Sequence, residues 1–402
     1  MHQFCILRRH LGLTALSVAV ALLAWSLLPL VAAAADTTAA AARPLASAPS
    51  LPDRPGRAGR QEVLGFAPYW ELSASGGWDY DVLTTIAYFG LTMRADGSFD
   101  TSTPGWKAWS GSQLTEVIDT AHRHGAHVVL VIQQSDDGTI DRLIGDPVAT
   151  TRAAQSVLGA LAQRGLDGVN IDFEGSASSS TSAVRSALVR FVEAISSAVH
   201  ERWPAAEVSI DTYSGSAATD QGFFDIPALE PYVDAFFVMA YDMAFENMPG
   251  QAGPTAPLTG FPYDDENAVR SYLSVIPASK LILGVPYYGY EWPTASGDLY
   301  AKATGSPRAI TYAQLAGLLA CTRATPAWDD RSQTPWVAWQ GSADGCSQGG
   351  GWHQLYFDDV RSLGLKADLV LRDELRGLGI WALGYDGGAP ELWRQLRATF
   401  VS

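Results

Sequence analysis

Asp167-Gly168-Val169-Asn170-Ile171-Asp172-Phe173-Glu174 alternates apolar and polar side chains without a break from Val169 onward. A period of two belongs to a β-strand, whose successive side chains point to opposite faces. Val169, Ile171 and Phe173 then share one face, to be packed outward against helices, and Asn170, Asp172 and Glu174 share the other. Three polar groups on the inner face of an otherwise apolar strand are costly to bury without a purpose. Two acids two positions apart lie about 6–7 Å apart along the backbone, and their carboxyl groups can come closer. Both cannot ionise easily at that range, so one holds its proton to higher pH. A protonated Glu is what a general acid at neutral pH requires. The same three residues also admit a polar barrel-interior network without chemistry, or a hard-metal site with oxygen ligands. No His lies near this strand to support a transition metal, and no EF-hand spacing is present.

Outward from this stretch the chain repeats one pattern. Short β-like runs fall at Val63–Trp70, Thr84–Leu91, His127–Gln133, Gly168–Glu174, Glu207–Tyr213, Ala235–Asp242, Leu281–Tyr290 and Leu378–Tyr385. Most are near-continuous apolar runs, as in parallel strands covered on both faces. Helical stretches lie between them: Gln113–His124 ends at Gly125, Val184–Arg202 ends before Pro204, and Asp264–Val275 ends before Pro277. Eight strands alternating with helices point to an α/β fold of the (β/α)8 TIM-barrel type. A doubly wound sheet is the rival, but Gly65-Phe66-Ala67-Pro68 is not the Gly-rich first turn that it would carry. Glu174 falls at the C-terminal end of its strand, where barrel active sites lie. The stretch 293–357 exceeds an ordinary loop and holds aromatic-rich pieces such as Trp336-Val337-Ala338-Trp339. It reads as a small β-rich insertion of α+β type between the seventh and eighth strands.

The ends of the strands carry a resemblance. Asp167 to Glu174 is similar to the D-x-x-D-x-D-x-E signature of family 18 glycoside hydrolases, with Asn170 where the second Asp usually stands. Met239-Ala240-Tyr241-Asp242 resembles the family's M-x-Y-D at the sixth strand, Gly284-Val285-Pro286-Tyr287-Tyr288-Gly289-Tyr290 its seventh strand, and Gly379-Ile380-Trp381-Ala382 its eighth. Four pieces in order span about residues 62–400. The resemblance implies a chitinase-like hydrolase of N-acetylglucosamine chains that works by substrate-assisted retention. Glu174 would be the proton donor, Asp172 would orient the 2-acetamido group, Tyr241 would bond its carbonyl oxygen, and Asp242 would bind sugar or tune Glu174. Trp381 would floor the sugar pocket. Tyr69, Trp70, Tyr213, Met239, Tyr288 and Trp292 are further candidate cleft residues, although an aromatic at such a place is more often core. No metal and no organic cofactor is implied. The third strand, Val129-Leu130-Val131-Ile132-Gln133-Gln134, lacks the S-x-G-G run of many chitinases. The Asn-x-Asp-x-Glu strand, Gly253-Pro254-Thr255-Ala256-Pro257 and Gly289-Tyr290-Glu291-Trp292 are closer to the spore-peptidoglycan N-acetylglucosaminidase branch. A sugar-binding member without catalysis and an unrelated metal-dependent barrel enzyme are the other readings.

The 402-residue chain is 47% hydrophobic and 17% charged, which suits one large globular core. Its formal charge of −15 argues against nucleic acid as a partner and fits a neutral or cationic ligand. The sequence offers no sign of an obligatory protein partner. Arg8 and Arg9 precede an apolar run from about Leu11 to Val31, followed by Ala32 to Ala35. Residues 1–35 read as an export signal for a secreted protein, with an uncleaved membrane anchor as the alternative. Residues 36–60, rich in Ala, Pro, Ser and Arg, read as a flexible linker before the 61–402 barrel. Cys5 lies in the signal, which leaves Cys321 and Cys346 as a disulfide pair in an exported chain, or as two separate thiols.

Asn cannot titrate but still hydrogen-bonds a neighbouring Asp. Activity is therefore expected with an acid limb of the pH–rate profile that differs from that of the Asn170→Asp variant. Superimposable profiles for the two proteins would refute this.

Overall fold

The fold is seen in a computed structural model that describes residues 60–401, apart from 177–180, 220–221, 344–346 and 348–349. The export signal, nearly all of the linker and Cys346 lie outside the described residues, so the pairing of Cys321 stays an expectation.

The eight expected strands close into one parallel barrel. In chain order they begin with β1 (Glu62–Pro68), β2 (Thr85–Thr92), β3 (His127–Gln134), β4 (Gly168–Phe173), β5 (Glu207–Tyr213), β6 (Ala235–Met239) and β7 (Leu281–Pro286). The next five, β8 (Tyr288–Thr294), β9 (Arg308–Thr311), β10 (Ala327–Asp329), β11 (Thr334–Gly341) and β12 (Gly351–Tyr356), lie outside the barrel, and β13 (Gly377–Trp381) closes it. Around the barrel the order is β1-β13-β7-β6-β5-β4-β3-β2. Every barrel strand is buried along most of its length, because helices cover the outside and side chains fill the inside.

The helices begin and end where the local chemistry dictates. The helix Pro147–Arg164 starts on the Asp146 side chain, which accepts from the Val148 N–H, and stops at Gly165 with φ 64°. That left-handed residue, which only glycine adopts at little cost, turns the chain into β4. Thr181 caps the helix Ser182–Arg202, and Asp264 caps the helix Asp265–Leu273. At the start of β4 a side chain on Gly168 would meet the Glu207 carbonyl oxygen at 2.2 Å, so this glycine is what lets β4 and β5 run so close there.

Three strand expectations need correction. The run Leu281–Tyr290 is two strands, not one. Pro286 has no N–H to continue the ladder. The Tyr287 N–H instead donates to the Trp381 carbonyl (2.8 Å), and β8 leaves to pair with β9 and β12. The sixth strand ends at Met239, three residues early, because Asp242 takes a left-handed φ of 62° that no strand admits. The eighth ends at Trp381 rather than Tyr385, and a turn follows.

The extra-barrel strands form one antiparallel sheet in the order β10-β11-β12-β8-β9, with the helix Tyr312–Thr322 packed on it. Ile310, Leu315, Leu318, Val337, Trp339, Leu355 and Phe357 make its own small core. It therefore starts at Tyr288, earlier than the 293 that loop length suggested. Near its return to the barrel lies Lys366, wholly buried in the helix Val360–Arg372. Its Nζ donates to the Ala256 carbonyl (2.8 Å) and to Asp358 (2.8 Å), with Asp265 at 3.5 Å.

Removing one partner of a buried ion pair leaves an uncompensated charge, at a cost of about 3–5 kcal/mol. Lys366→Met is expected to destabilise the protein by that order in denaturant unfolding. A midpoint equal to wild type would show that the network contributes nothing.

Candidate active site

The barrel interior is divided. Leu64 and Phe66 of β1, Ala87 of β2, Val129 and Val131 of β3, Ala235 and Phe237 of β6 and Ile282 of β7 make a dry apolar cluster. The β4–β5 sector is polar instead. Its inward side chains are Asn170 and Asp172 from β4 and Ser209 and Asp211 from β5, all buried. The outward residues of β4, Val169, Ile171 and Phe173, join the barrel–helix core, with the Phe173 ring 5.2 Å from that of Phe191. The alternation read from the sequence is thus the one the fold uses.

Glu174 stands one residue beyond β4, its N–H held by the Gln134 carbonyl at 2.9 Å. Its side chain is open to solvent at the C-terminal mouth, yet the wall of the cleft crowds it. That crowding strips water from the carboxyl and, with the negative field of Asp242, raises its affinity for a proton. Asp172 is raised further, by burial first and then by Glu174 and Asp211. Asp211 is also raised well above the ordinary range by burial, against the Asn170 hydrogen bond, which favours its charge. The Asn170 amide donates to Asp211 Oδ1 (2.7 Å) and to Ser209 Oγ (3.1 Å).

The segment after β6 supplies the facing wall. Tyr241 is half-buried against the apolar interior cluster and feels Asp211, Asp242, Asp172 and Glu174 together. Burial and those four acids keep its hydroxyl protonated, hence a donor. The Tyr288 hydroxyl donates to Asp242 Oδ1 at 2.5 Å, and Tyr290 bonds the same carboxyl. These bonds only partly offset burial, which pushes the Asp242 pKa up to about 6.

The remaining expected residues divide. Half-buried Trp381 lies against Phe66 (5.5 Å between centroids) and Phe89 (4.8 Å), and Trp70 packs on Phe89 (5.9 Å) and on Tyr69 (4.8 Å). Trp70, 39% exposed, and Trp381 thus extend one aromatic surface outward from the barrel interior. Met239 lines the inside of the barrel beside Tyr241. Tyr213 bonds the Gly175 carbonyl (3.2 Å) and packs on Phe224, bracing the chain just after Glu174. Trp292 is not at the cleft surface. It is 4% exposed, wedged beside Phe245 and Tyr290. Asp211, Ser209 and Tyr290 belong to the site and were not singled out from the sequence. Period-two reading of Glu207–Tyr213 would have put Ser209 and Asp211 on the inward face. Among the described residues no group of three or more His, Cys, Asp or Glu side chains has the arrangement to hold a metal ion.

A (β/α)8 barrel with clustered carboxyls, tyrosine hydroxyls and aromatic rings at its C-terminal mouth has the makings of a carbohydrate-cleaving site. The family model for glycosyl hydrolases family 18 matches residues 63–386, and the chain belongs to that family. It is a glycoside hydrolase. Di-N-acetylchitobiase of Rattus norvegicus is 28% identical over 341 residues, 74% of this chain and 86% of the relative. The putative sporulation-specific glycosylase YdhD of Bacillus subtilis is 25% identical over 256 residues, 63% of this chain and 55% of the relative. Among solved structures, a family 18 chitinase from Cycas revoluta in complex with (GlcNAc)3 superposes with a TM-score of 0.72 at 17% identity, covering 84% of this chain and 99% of that one. The spore cortex-lytic enzyme SleL of Bacillus megaterium gives 0.68 at 18% identity, covering 85% and 74%.

Folded Asp242 holds its proton up to about pH 6, whereas the ordinary value is 3.8. Between those values the folded chain binds the extra proton, so this group makes stability fall as pH rises. Asp242→Asn is expected to flatten part of that decline in denaturant titrations between pH 3.8 and about 6. An unchanged slope would contradict the raised carboxyl.

Proposed function

We propose that the protein hydrolyses β-1,4 bonds next to N-acetylglucosamine, in chitin or chitin oligosaccharides, with retention of configuration. The observation that carries this reading is the placement of Glu174 at the cleft mouth, its proton affinity raised, beside the buried acid Asp172 and the protonated Tyr241 hydroxyl.

The steps follow from those positions. A chain lies over the mouth with a 2-acetamido sugar stacked on Trp381. Glu174 gives its proton to the glycosidic oxygen as that bond breaks. The acetamido oxygen of the same sugar attacks the anomeric carbon from the opposite face and forms a cyclic oxazolinium ion. Ionised Asp172 accepts from the acetamido N–H and stabilises the positive charge that develops there. The Tyr241 hydroxyl donates to the acetamido oxygen and aligns it for attack. Glu174, now a carboxylate, takes a proton from water, which opens the ring at the anomeric carbon and restores the acid.

Peptidoglycan glycan is the second reading, favoured by the likeness to YdhD and to the cortical fragment-lytic enzymes of Bacillus species. It requires the same acetamido sugar on the nonreducing side of the cut. Residues 1–35 fit an export signal, with the enzyme acting outside the cell, and Cys321 and Cys346 fit a disulfide of such a protein.

Glu174→Gln and wild type are to be compared on chitin oligosaccharides and on purified peptidoglycan, with product masses read for each. Wild type is expected to cut at least one substrate and the variant to lose about 10²–10⁴-fold or more. Binding of oligosaccharides without turnover by wild type would make the protein a lectin-like member of the fold and overturn the role of Glu174.

A further inference from the structure

The end of the third strand, which lacks the S-x-G-G run of many chitinases, pairs with the strand that carries the acid. Gln134 is its last residue, and its carbonyl accepts from the Glu174 N–H at 2.9 Å. The Gln134 side chain ties down the same spot. Its Nε2 donates to the Met93 carbonyl (2.6 Å), just past β2, and its Oε1 accepts from the N–H groups of Ser135 (3.0 Å) and Asp136 (2.9 Å). Asp136 then caps the helix Asp137–Gly145 by accepting from the Thr139 N–H at 2.8 Å. That fixes half-buried Asp137, the first residue of the helix. Its Oδ1 accepts from the Ser176 N–H (2.7 Å) and its Oδ2 from the Ser176 hydroxyl (2.5 Å), across 39 residues of chain. Hydrogen bonds to an ionised carboxylate are short and strong, and a pair of them sets orientation as well as distance.

The other side of the segment is held too. The Tyr213 hydroxyl donates to the Gly175 carbonyl (3.2 Å), and a side chain at 175 would meet the Phe223 ring at 2.5 Å. Glu174-Gly175-Ser176 is thus gripped by Gln134 and Asp137 on the β3 side, and by Tyr213 and Phe223 on the β5 side. The Glu174 carboxyl itself feels burial and the field of Asp242, and no hydrogen bond from a described residue is among its influences. A side chain without a partner of its own is placed by its backbone.

We infer that Asp137 is a positioning residue: through its two bonds to Ser176 it sets where the Glu174 carboxyl stands, and so how the proton is aimed at the glycosidic oxygen. The inference rests on the reading of Glu174 as the proton donor. An acid in the first turn favours its own helix wherever it points. The two bonds to Ser176 add a task that the helix does not need. Proton transfer requires the donor within hydrogen-bond reach, and a misplacement of about 1 Å costs on the order of 10²-fold in rate. Stacking of a sugar on Trp381 does not involve this segment, so the loss falls on kcat and spares KM.

The test compares wild type with Asp137→Ala, Asp137→Asn and Ser176→Ala, on chitin oligosaccharide or peptidoglycan, whichever wild type cuts. The two constants kcat and KM are read separately, per folded molecule, with the denaturant midpoint of each protein alongside. Asp137→Ala is expected to lower kcat about 10–10²-fold with KM within about twofold of wild type. Asp137→Asn can keep both bonds, with Oδ1 accepting from the Ser176 N–H and Nδ2 donating to the Ser176 oxygen, and is expected to recover most of that loss. Ser176→Ala keeps the backbone bond and is expected to fall between Asp137→Ala and wild type. A lowered midpoint with unchanged kcat in Asp137→Ala is a purely structural role and overturns the inference. A kcat loss that Asp137→Asn does not recover also overturns it, because the loss then comes from the charge at the helix start. A crystal structure of Asp137→Ala is the second readout and needs no substrate. Glu174 is expected to shift by about 1 Å or to occupy more than one conformer. Glu174 in its wild-type place overturns the inference. If wild type cuts no acetamido sugar, the proton-donor reading falls instead, and the crystal structure alone decides whether Asp137 places Glu174.

Discussion

Everything in this site depends on one cost: carboxyl groups taken out of water without a cation to neutralise them. Closing the barrel buries both faces of β4 and β5. The outward faces satisfy that with Val, Ile and Phe, while the inward ones bring Asn170, Asp172, Ser209 and Asp211 into a low-dielectric interior. Ionisation there is expensive, so protons stay on groups that would lose them in water. The apolar half of the interior, built on Phe66, Val131 and Phe237, sharpens the effect by excluding water from the other side. The raised proton affinities of Glu174 at the mouth and of Asp172 deeper in the barrel are consequences of that burial.

The fold places the acids and also keeps them distinct. Glu174 lies beyond the last ladder residue of β4 and reaches solvent, so it can exchange protons with water. Asp172 is one turn of the pleat deeper. Asp242 arrives from the next wall on a left-handed residue and is gripped by two tyrosines of the strand that departs into the extra sheet. The insertion is therefore part of the site's support as well as an appendage: β8 carries Tyr288 and Tyr290, and its first residue begins where Pro286 ends the barrel ladder.

Much of this was legible in the sequence, for a physical reason. A strand of a closed barrel cannot slip by one residue without turning every side chain over, so the alternation from Val169 to Glu174 specified both faces of β4. The parallel strands were legible as apolar runs because both their faces are covered. Asp211 was overlooked although Ser209-Ile210-Asp211 carries the same alternation, since its meaning depends on register with Asn170, a pairing between strands that are far apart in the chain. The split of Leu281–Tyr290 was hidden for a related reason: the run is apolar throughout, and only the partners of Tyr287 and Tyr288 reveal the change of sheet. Trp292 shows the limit of residue type as a guide, because an indole suits a sugar cleft and a core equally well.

The central claim is that the acetamido group of the substrate, oriented by Asp172 and Tyr241, attacks first and water second. Each attack inverts the anomeric centre, so the product keeps its original configuration. Proton NMR of the first products from a chitin oligosaccharide, recorded before mutarotation, tests this directly. The account predicts that the new reducing end appears as the β-anomer. An α-anomer at the earliest time points would mean a single attack by water and would contradict it.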